Sequence, residues 1–189
     1  AFGKLQGFIS GAPLTYKGQN ATNISMFFGA LALLAWVIYD PSQQVLRLEG
    51  DEIARDMEGA HFLFCNDYEF GLISKKTGWS LDQILDHVKN LVITRGKDGA
   101  DLYSGNDAVH IPTVPEDEIV DPTGVGDAFR GGLMKGLAAG APYQTCAQVG
   151  SVAATYALEH LGGQSHAYTS AEFRVRYEAH FGPLTGVPL

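Results

Sequence analysis

The chain is 189 residues long, 46% apolar and 18% charged, with a formal net charge of −8. That length predicts one domain around one sizeable core, and that composition excludes a disordered chain. The basic residues are scattered, with no cluster larger than Lys75-Lys76, which excludes a nucleic-acid surface because phosphate backbones demand grouped Lys and Arg.

The first readable pattern is "MFFGALALLAWVIY", Met26 to Tyr39. It carries no charge but falls short of the ~18–20 residues of a membrane span, so it reads as buried core and no membrane association is expected. Its first half is helix-like, while "WVIYD" reads as a strand stopped at Asp40-Pro41. "GDEIARDMEGA" reads as a helix and "HFLFC" as a buried strand. "SLDQILDHVKN" opens with Ser80 and Gln83 at capping-box spacing, which predicts a helix, and "LVITRG" is the next buried strand. "GADLYSGNDAVHIP" alternates about a Gly-Asn-Asp turn and reads as a hairpin. A helix then runs through Ala139 to a stop at Gly140. A longer one starts at Pro142 and ends at Gly162-Gly163. "TSAEFRVRYEAHFG", with Thr169 and Glu172 as another capping box, is the last helix.

Strands alternating with helices predict an α/β fold, a largely parallel sheet with helices on both faces. Ligands of such sheets bind beyond the carboxyl ends of the strands, so the loops after Tyr39, Cys65, Thr94 and Val120 should share one rim. Cys65 and Cys146 lack metal-type spacing and read as reduced thiols of a cytoplasmic protein. No secretory signal is legible, so the sequons at Asn20 and Asn23 read as chance.

The densest chemical signal is "DPTGVGDAFRGG", Asp121 to Gly132. Asp121-Pro122 keeps the chain extended as it leaves a strand, and Gly124 and Gly126 allow backbone geometry that lets successive N–H groups converge. A helix beginning near Asp127 adds free N–H groups and a positive dipole end, completing a socket for a phosphoryl group. An acid there makes sense if it serves the attacking hydroxyl, orienting it and accepting its proton. Asp127 is therefore a candidate base, with the backbone of Gly124, Val125 and Gly126 stabilising developing charge. The spacing alone fits an Asp N-cap after a glycine turn equally well.

This stretch resembles the anion-hole motif of the ribokinase-like (PfkB) family of sugar and nucleoside kinases. "NDYE" resembles that family's Asn-x-x-Glu motif, which implies that Asn66 and Glu69 organise Mg2+ through water. If the loop enters a helix, the two lie one turn apart on one face. "TRGKDGA" resembles the nucleotide-binding loop, implying ATP contacts at Thr94, Gly96 and Gly99; by itself it reads as a Lys-Asp-Gly hairpin turn. "YDPSQQ" and "AATYALEHLGGQSHAYTSAEF" look most like bacterial adenosine or nucleoside kinases. The resemblance places Ala157, His160 and Gly162 near the adenine, and Asp121 and Thr123 at a monovalent-cation site that would take K+. His160 and His166 taken alone read as polar surface residues.

"GQNATNISMFFGALALLA" resembles the element that binds the acceptor's hydroxyls, with Gly18 and Asn23 in the matching places and Gln19 where a second glycine is usual. Arg130 is assigned to substrate by the same resemblance. Val125 stands where the family carries a small residue, and a β-branched side chain resists unusual φ values. Between Ala35 and Trp36 the likeness jumps, omitting several sheet strands and much of the acceptor pocket. The implied activity is phosphorylation of a nucleoside's primary hydroxyl, adenosine to AMP, with ATP and Mg2+. A sugar kinase, a non-catalytic nucleotide-binding remnant and, last, a membrane-attached protein are the alternatives. The partner is a small nucleoside or sugar, and relatives make a homodimer common.

Overall fold

The computed structural model describes residues 38–189. The acceptor element expected at Gly18 and Asn23, and the apolar run before Ile38, lie outside the described residues. Five strands form one sheet: β1 (Ile38–Tyr39), β2 (Phe62–Asn66), β3 (Asn90–Thr94), β4 (Ala100–Ser104) and β5 (Asp107–Ile111), side by side in that order. β1, β2 and β3 run parallel, while β4 and β5 continue the sheet antiparallel. The parallel part and the expected hairpin are thus one sheet.

The alternation of side chains along β2 and β3 explains the layers. Leu63, Cys65, Leu91 and Ile93 point to one face, where they meet Ile53, Met57, Ile73 and Ile84. These last come from α1 (Gly50–Met57), α2 (Asp67–Thr77) and α3 (Leu81–His87). Phe62, Phe64 and Val92 point to the other face, against Phe129 and Leu133 of α4 (Val125–Ala138) and Cys146 of α5 (Tyr143–Leu158). Strands covered on both sides read as continuous apolar runs, as "FLFC" and "LVI" do. Each fully buried large side chain contributes about 1.5–3 kcal/mol.

α4 and α5 approach closely because glycines face each other. A Cβ on Gly132 would stand 2.7 Å from the Gly150 Cα, and one on Gly150 would stand 2.7 Å from the Phe129 carbonyl oxygen. α6 (Ser170–Phe181) closes the far side of α5, burying Phe173 and Tyr177 with Val149, Val152 and Leu184. Capping boxes open α3 at Ser80/Gln83 and α6 at Thr169/Glu172, at the positions read from sequence.

Two expectations are corrected. No strand leads directly into Asp121; residues 112–121 run outside the sheet, with the Val120 and Asp121 N–H groups both donating to the Leu158 carbonyl. α5 stops at Leu158, not at Gly162-Gly163. Its last carbonyl, that of Leu158, bonds this incoming segment, and the residues after it fold into a loop over the start of α4. Among the described residues no helix is long and apolar enough to cross a membrane.

Candidate active site

Because β1, β2 and β3 are parallel, their carboxyl ends open on one rim. Asp40 follows β1, and Asn66 pairs in register with Thr94 at the last rung between β2 and β3. α4 meets this rim through an ion pair of 2.6 Å between Arg130 Nε, one turn into the helix, and Asp40 Oδ2. The loops after Tyr39, Cys65 and Thr94 therefore share the rim as expected, while the Asp121 segment reaches it without a strand.

The turn before α4 is built on Asp121. Its Oδ1 accepts the Thr123 N–H and its Oδ2 accepts the Gly162 N–H, each at 2.8 Å, so one carboxylate joins the two loops. Bonds from the Thr123 hydroxyl and N–H, and then from Gly162, hold its carboxyl below the ordinary range. Gly124 sits in the left-handed region at φ 80°, and a Cβ there would lie 2.6 Å from the Gly163 Cα. Glycine is required at 124 on both counts. Gly126 needs no special geometry, because helix α4 already begins at Val125. Val125 is likewise ordinary helical backbone, so its β-branched side chain imposes no strain on the turn.

Val125 N–H bonds back to Pro122, and Ala128 N–H to Gly124. The N–H groups of Gly126 and Asp127 are those that a helix start leaves over, and no side chain caps them from Gly124. Thr123, Gly124, Asp127, Gly162 and Gly163 line an open cleft of about 670 Å³ at this point. The Asp127 side chain is 79% exposed, and its Oδ1 takes a 2.5 Å bond from Arg130 Nη1. Arg130 is thus held by two carboxylates of this chain.

On the neighbouring strand end, Asn66 caps α2. Its Oδ1 accepts the Glu69 N–H at 2.8 Å, and Glu69 Oε2 accepts the Asn66 N–H at 2.9 Å. Two residues expected to organise a metal are therefore also a complete capping box. Glu69 is only 9% exposed, and its charge is felt at Asp40, whose carboxyl is raised by burial first, with Arg130 opposing. Among the described residues no three His, Cys, Asp or Glu side chains converge as a metal cage. A magnesium ion held mainly by water and phosphate oxygens needs no such cage. Only one oxygen of Glu69 is committed to the box, so the donor set fits a water-mediated contact by Glu69, with Asn66 fixing it.

Thr94 ends β3, and the loop after it turns the chain into antiparallel β4, with Arg95 N–H donating to the Gly99 carbonyl at 2.8 Å. Gly96 and Gly99 both have positive φ. A Cβ on Gly99 would meet the Ile111 carbonyl oxygen at 2.3 Å. The hairpin alone explains both glycines. Ala157 is fully buried, His160 is tied through Nδ1 to the Tyr156 carbonyl, and Gly162 lines the cleft. Two contributors were not singled out from sequence. Asp40 was read as a strand stop and as part of the kinase-like "YDPSQQ", and its place on the predicted rim was a usable signal; Gly163 was read only as part of the Gly162-Gly163 helix stop.

Residues 34–170 match the pfkB family carbohydrate kinases. The nucleoside kinase of Methanocaldococcus jannaschii is 28% identical over 144 residues, covering 76% of this chain and 48% of the relative. The structure of Burkholderia thailandensis nucleoside kinase in complex with inosine superposes with a TM-score of 0.75 at 40% identity, over 77% of this chain and 48% of that one. The crystal structure of the M. jannaschii nucleoside kinase, an archaeal member of the ribokinase family, gives a TM-score of 0.73. The chain spans about half the length of the relatives it matches. With its ribokinase-like architecture and this match, the chain belongs to the pfkB carbohydrate kinase family.

Proposed function

We propose that this chain carries the nucleotide-binding and base-bearing half of an ATP-dependent kinase that phosphorylates the primary hydroxyl of a nucleoside. Adenosine, converted to AMP, is the acceptor of first choice. The observation that carries this reading is the exposed Asp127 carboxylate on the first turn of α4, beside uncapped N–H groups and the left-handed Gly124. Bound ATP supplies the phosphoryl group, and magnesium neutralises its charge. Asp127 accepts the proton of the attacking hydroxyl, and the N–H groups left free at the start of α4, those of Gly126 and Asp127, face the charge that develops on the phosphoryl oxygens. Glu69, fixed by Asn66, holds the water shell of the metal. The loop of Thr94, Gly96 and Gly99 and the segment Ala157 to Gly162 flank the nucleotide. Asp121 and Thr123 surround a K+ ion, and Gly18 and Asn23 meet the acceptor.

The kinship favours a nucleoside: curated relatives matched over 76% and 77% of the chain are named nucleoside kinases, while shorter matches include an inositol 3-kinase and a 6-phosphofructokinase. The test is ADP release by the purified chain with ATP and Mg2+, across adenosine, inosine, cytidine, ribose and fructose, with Asp127→Asn as control. Turnover confined to nucleosides and abolished by the substitution supports the reading. Turnover with the sugars alone makes this a sugar kinase. ATP binding without any turnover identifies a nucleotide-binding remnant.

A further inference from the structure

Arg130 makes three contacts from one guanidinium. Nε lies 2.6 Å from Asp40 Oδ2, Nη1 lies 2.5 Å from Asp127 Oδ1, and the central carbon stands 5.0 Å from the centre of the Phe64 ring. The carboxylates come from different elements: Asp40 from the end of β1, Asp127 from the first turn of α4. An exposed pair three residues apart on one helix is weak and does not by itself hold a side chain still. The Asp127 side chain is 79% exposed, but those of Arg130 and Asp40 are only 23% and 17% exposed. The ordered end of this chain of contacts is therefore Asp40. Its Oδ1 is in turn fixed by the Ser42 N–H at 2.9 Å, which leaves Oδ2 for Arg130.

We propose that Asp40 is a positioning residue for Asp127, acting through Arg130: the strand end anchors the arginine, and the arginine sets where the Asp127 carboxylate stands over the cleft. The inference rests on the reading of Asp127 as the base. The guanidinium reaches two carboxylates at once, as a hydrogen bond from Nη1 to Asp127 and as an ion pair to Asp40 toward which the Nε–H is not aligned for a hydrogen bond; a lysine ammonium cannot span both. The Phe64 ring, 5.0 Å from the central carbon of the guanidinium, adds a cation–π contact on the same side chain. Asp40 itself is mostly buried, and a buried carboxylate needs such a cation. Removing it should leave Arg130 tethered only to the mobile end.

Two sets of measurements test this on the chain as it stands. In NMR spectra, the Asp127 carboxyl carbon should shift in Asp40→Asn and in Arg130→Lys. Adding Asp40→Asn to Arg130→Met should move it no further. In turnover, Asp40→Asn should lower kcat by about 10- to 100-fold, the usual cost of misplacing a catalytic group by an ångström, with KM for ATP little changed. Asp40→Glu should recover part of that loss. An Asp127 resonance indifferent to Asp40→Asn and Arg130→Lys overturns the proposal, as does an Asp40 effect that persists undiminished without Arg130. If Asp40→Asn fails to fold, Asp40→Glu, which keeps the charge but moves it by a methylene, carries the same carbon-shift test. If the unmutated chain shows no turnover, the kinase reading fails for this chain, while the carbon resonances still decide whether Asp40 positions Asp127.

Discussion

Two helices begin at the rim of this sheet, and each carries an acid at its third position. In α2 the cap is Asn66, and Glu69 folds back to close a reciprocal box, ending 9% exposed. In α4 the cap is Gly124 in the left-handed region, which has no side chain to offer, and the Asp127 side chain stays 79% exposed. The same local position thus yields a self-satisfied helix start in one case and an open one in the other. A helix start that spends its polar groups on itself is stable; one that leaves N–H groups and a carboxylate unspent is available to a ligand. α4 makes up for its missing cap through tertiary contacts: the Asp121 bridge to Gly162, the Gly163 backbone against Gly124, and the Asp40–Arg130 anchor.

That contrast can be broken in steps. The largest effect is expected from Asp127→Asn, which should lower nucleoside-dependent ADP release by about 100- to 10,000-fold because it removes a general base. Calorimetric titration should show ADP still binding, since the N–H groups remain. Gly124→Ala should come next. It forces a side chain into φ 80° and against the Gly163 Cα at 2.6 Å, so denaturant unfolding should show a loss of about 1–3 kcal/mol together with weaker nucleotide binding. Asn66→Ala should cost about 1 kcal/mol as an ordinary lost cap. In the same variant, turnover should demand more Mg2+, because Glu69 is no longer held; an unchanged Mg2+ titration would reduce the pair to a cap.

The smallest effect lies at α6, far from the cleft. Thr169 donates to Glu172 through its N–H and its hydroxyl, which lowers the Glu172 carboxyl below the ordinary glutamate range. Glu172 therefore favours the folded state fully above its unfolded value of about pH 4.3, and that contribution is lost as pH falls through the lower folded value. Thermal melts of Glu172→Gln and the unmutated chain should converge on acidification through that window. Nucleotide binding should not differ at any pH.

Much of this was readable from the order of residues, because the signals are local. The apolar runs "FLFC" and "LVI" mark strands covered on both faces, and Ser80/Gln83 and Thr169/Glu172 mark helix starts whose hydrogen bonds close within four residues. Helix α2 was harder. "NDYEFGLISKK" has weak amphipathic patterning, and the sequence left it open whether the loop at Asn66 enters a helix or makes a surface turn. The strand expected before Asp121 was misjudged because an extended backbone and a strand look alike in sequence, and only a ladder partner separates them. The overlong reading of α5 has the same origin: "GG" is a plausible stop, but the Leu158 carbonyl is already claimed by Val120 and Asp121.

The sequence by itself determined the alternating elements, the three-residue capping boxes and the glycine turn that leads into Asp127, since each depends on neighbours within a turn or two of chain. Only the tertiary structure decided which carboxylates meet. Asp40 and Arg130 are ninety positions apart, and Gly124 and Gly163 belong to loops that touch only because α5 folds back along α4. Those contacts are set by sheet order and helix packing, which no local spacing records.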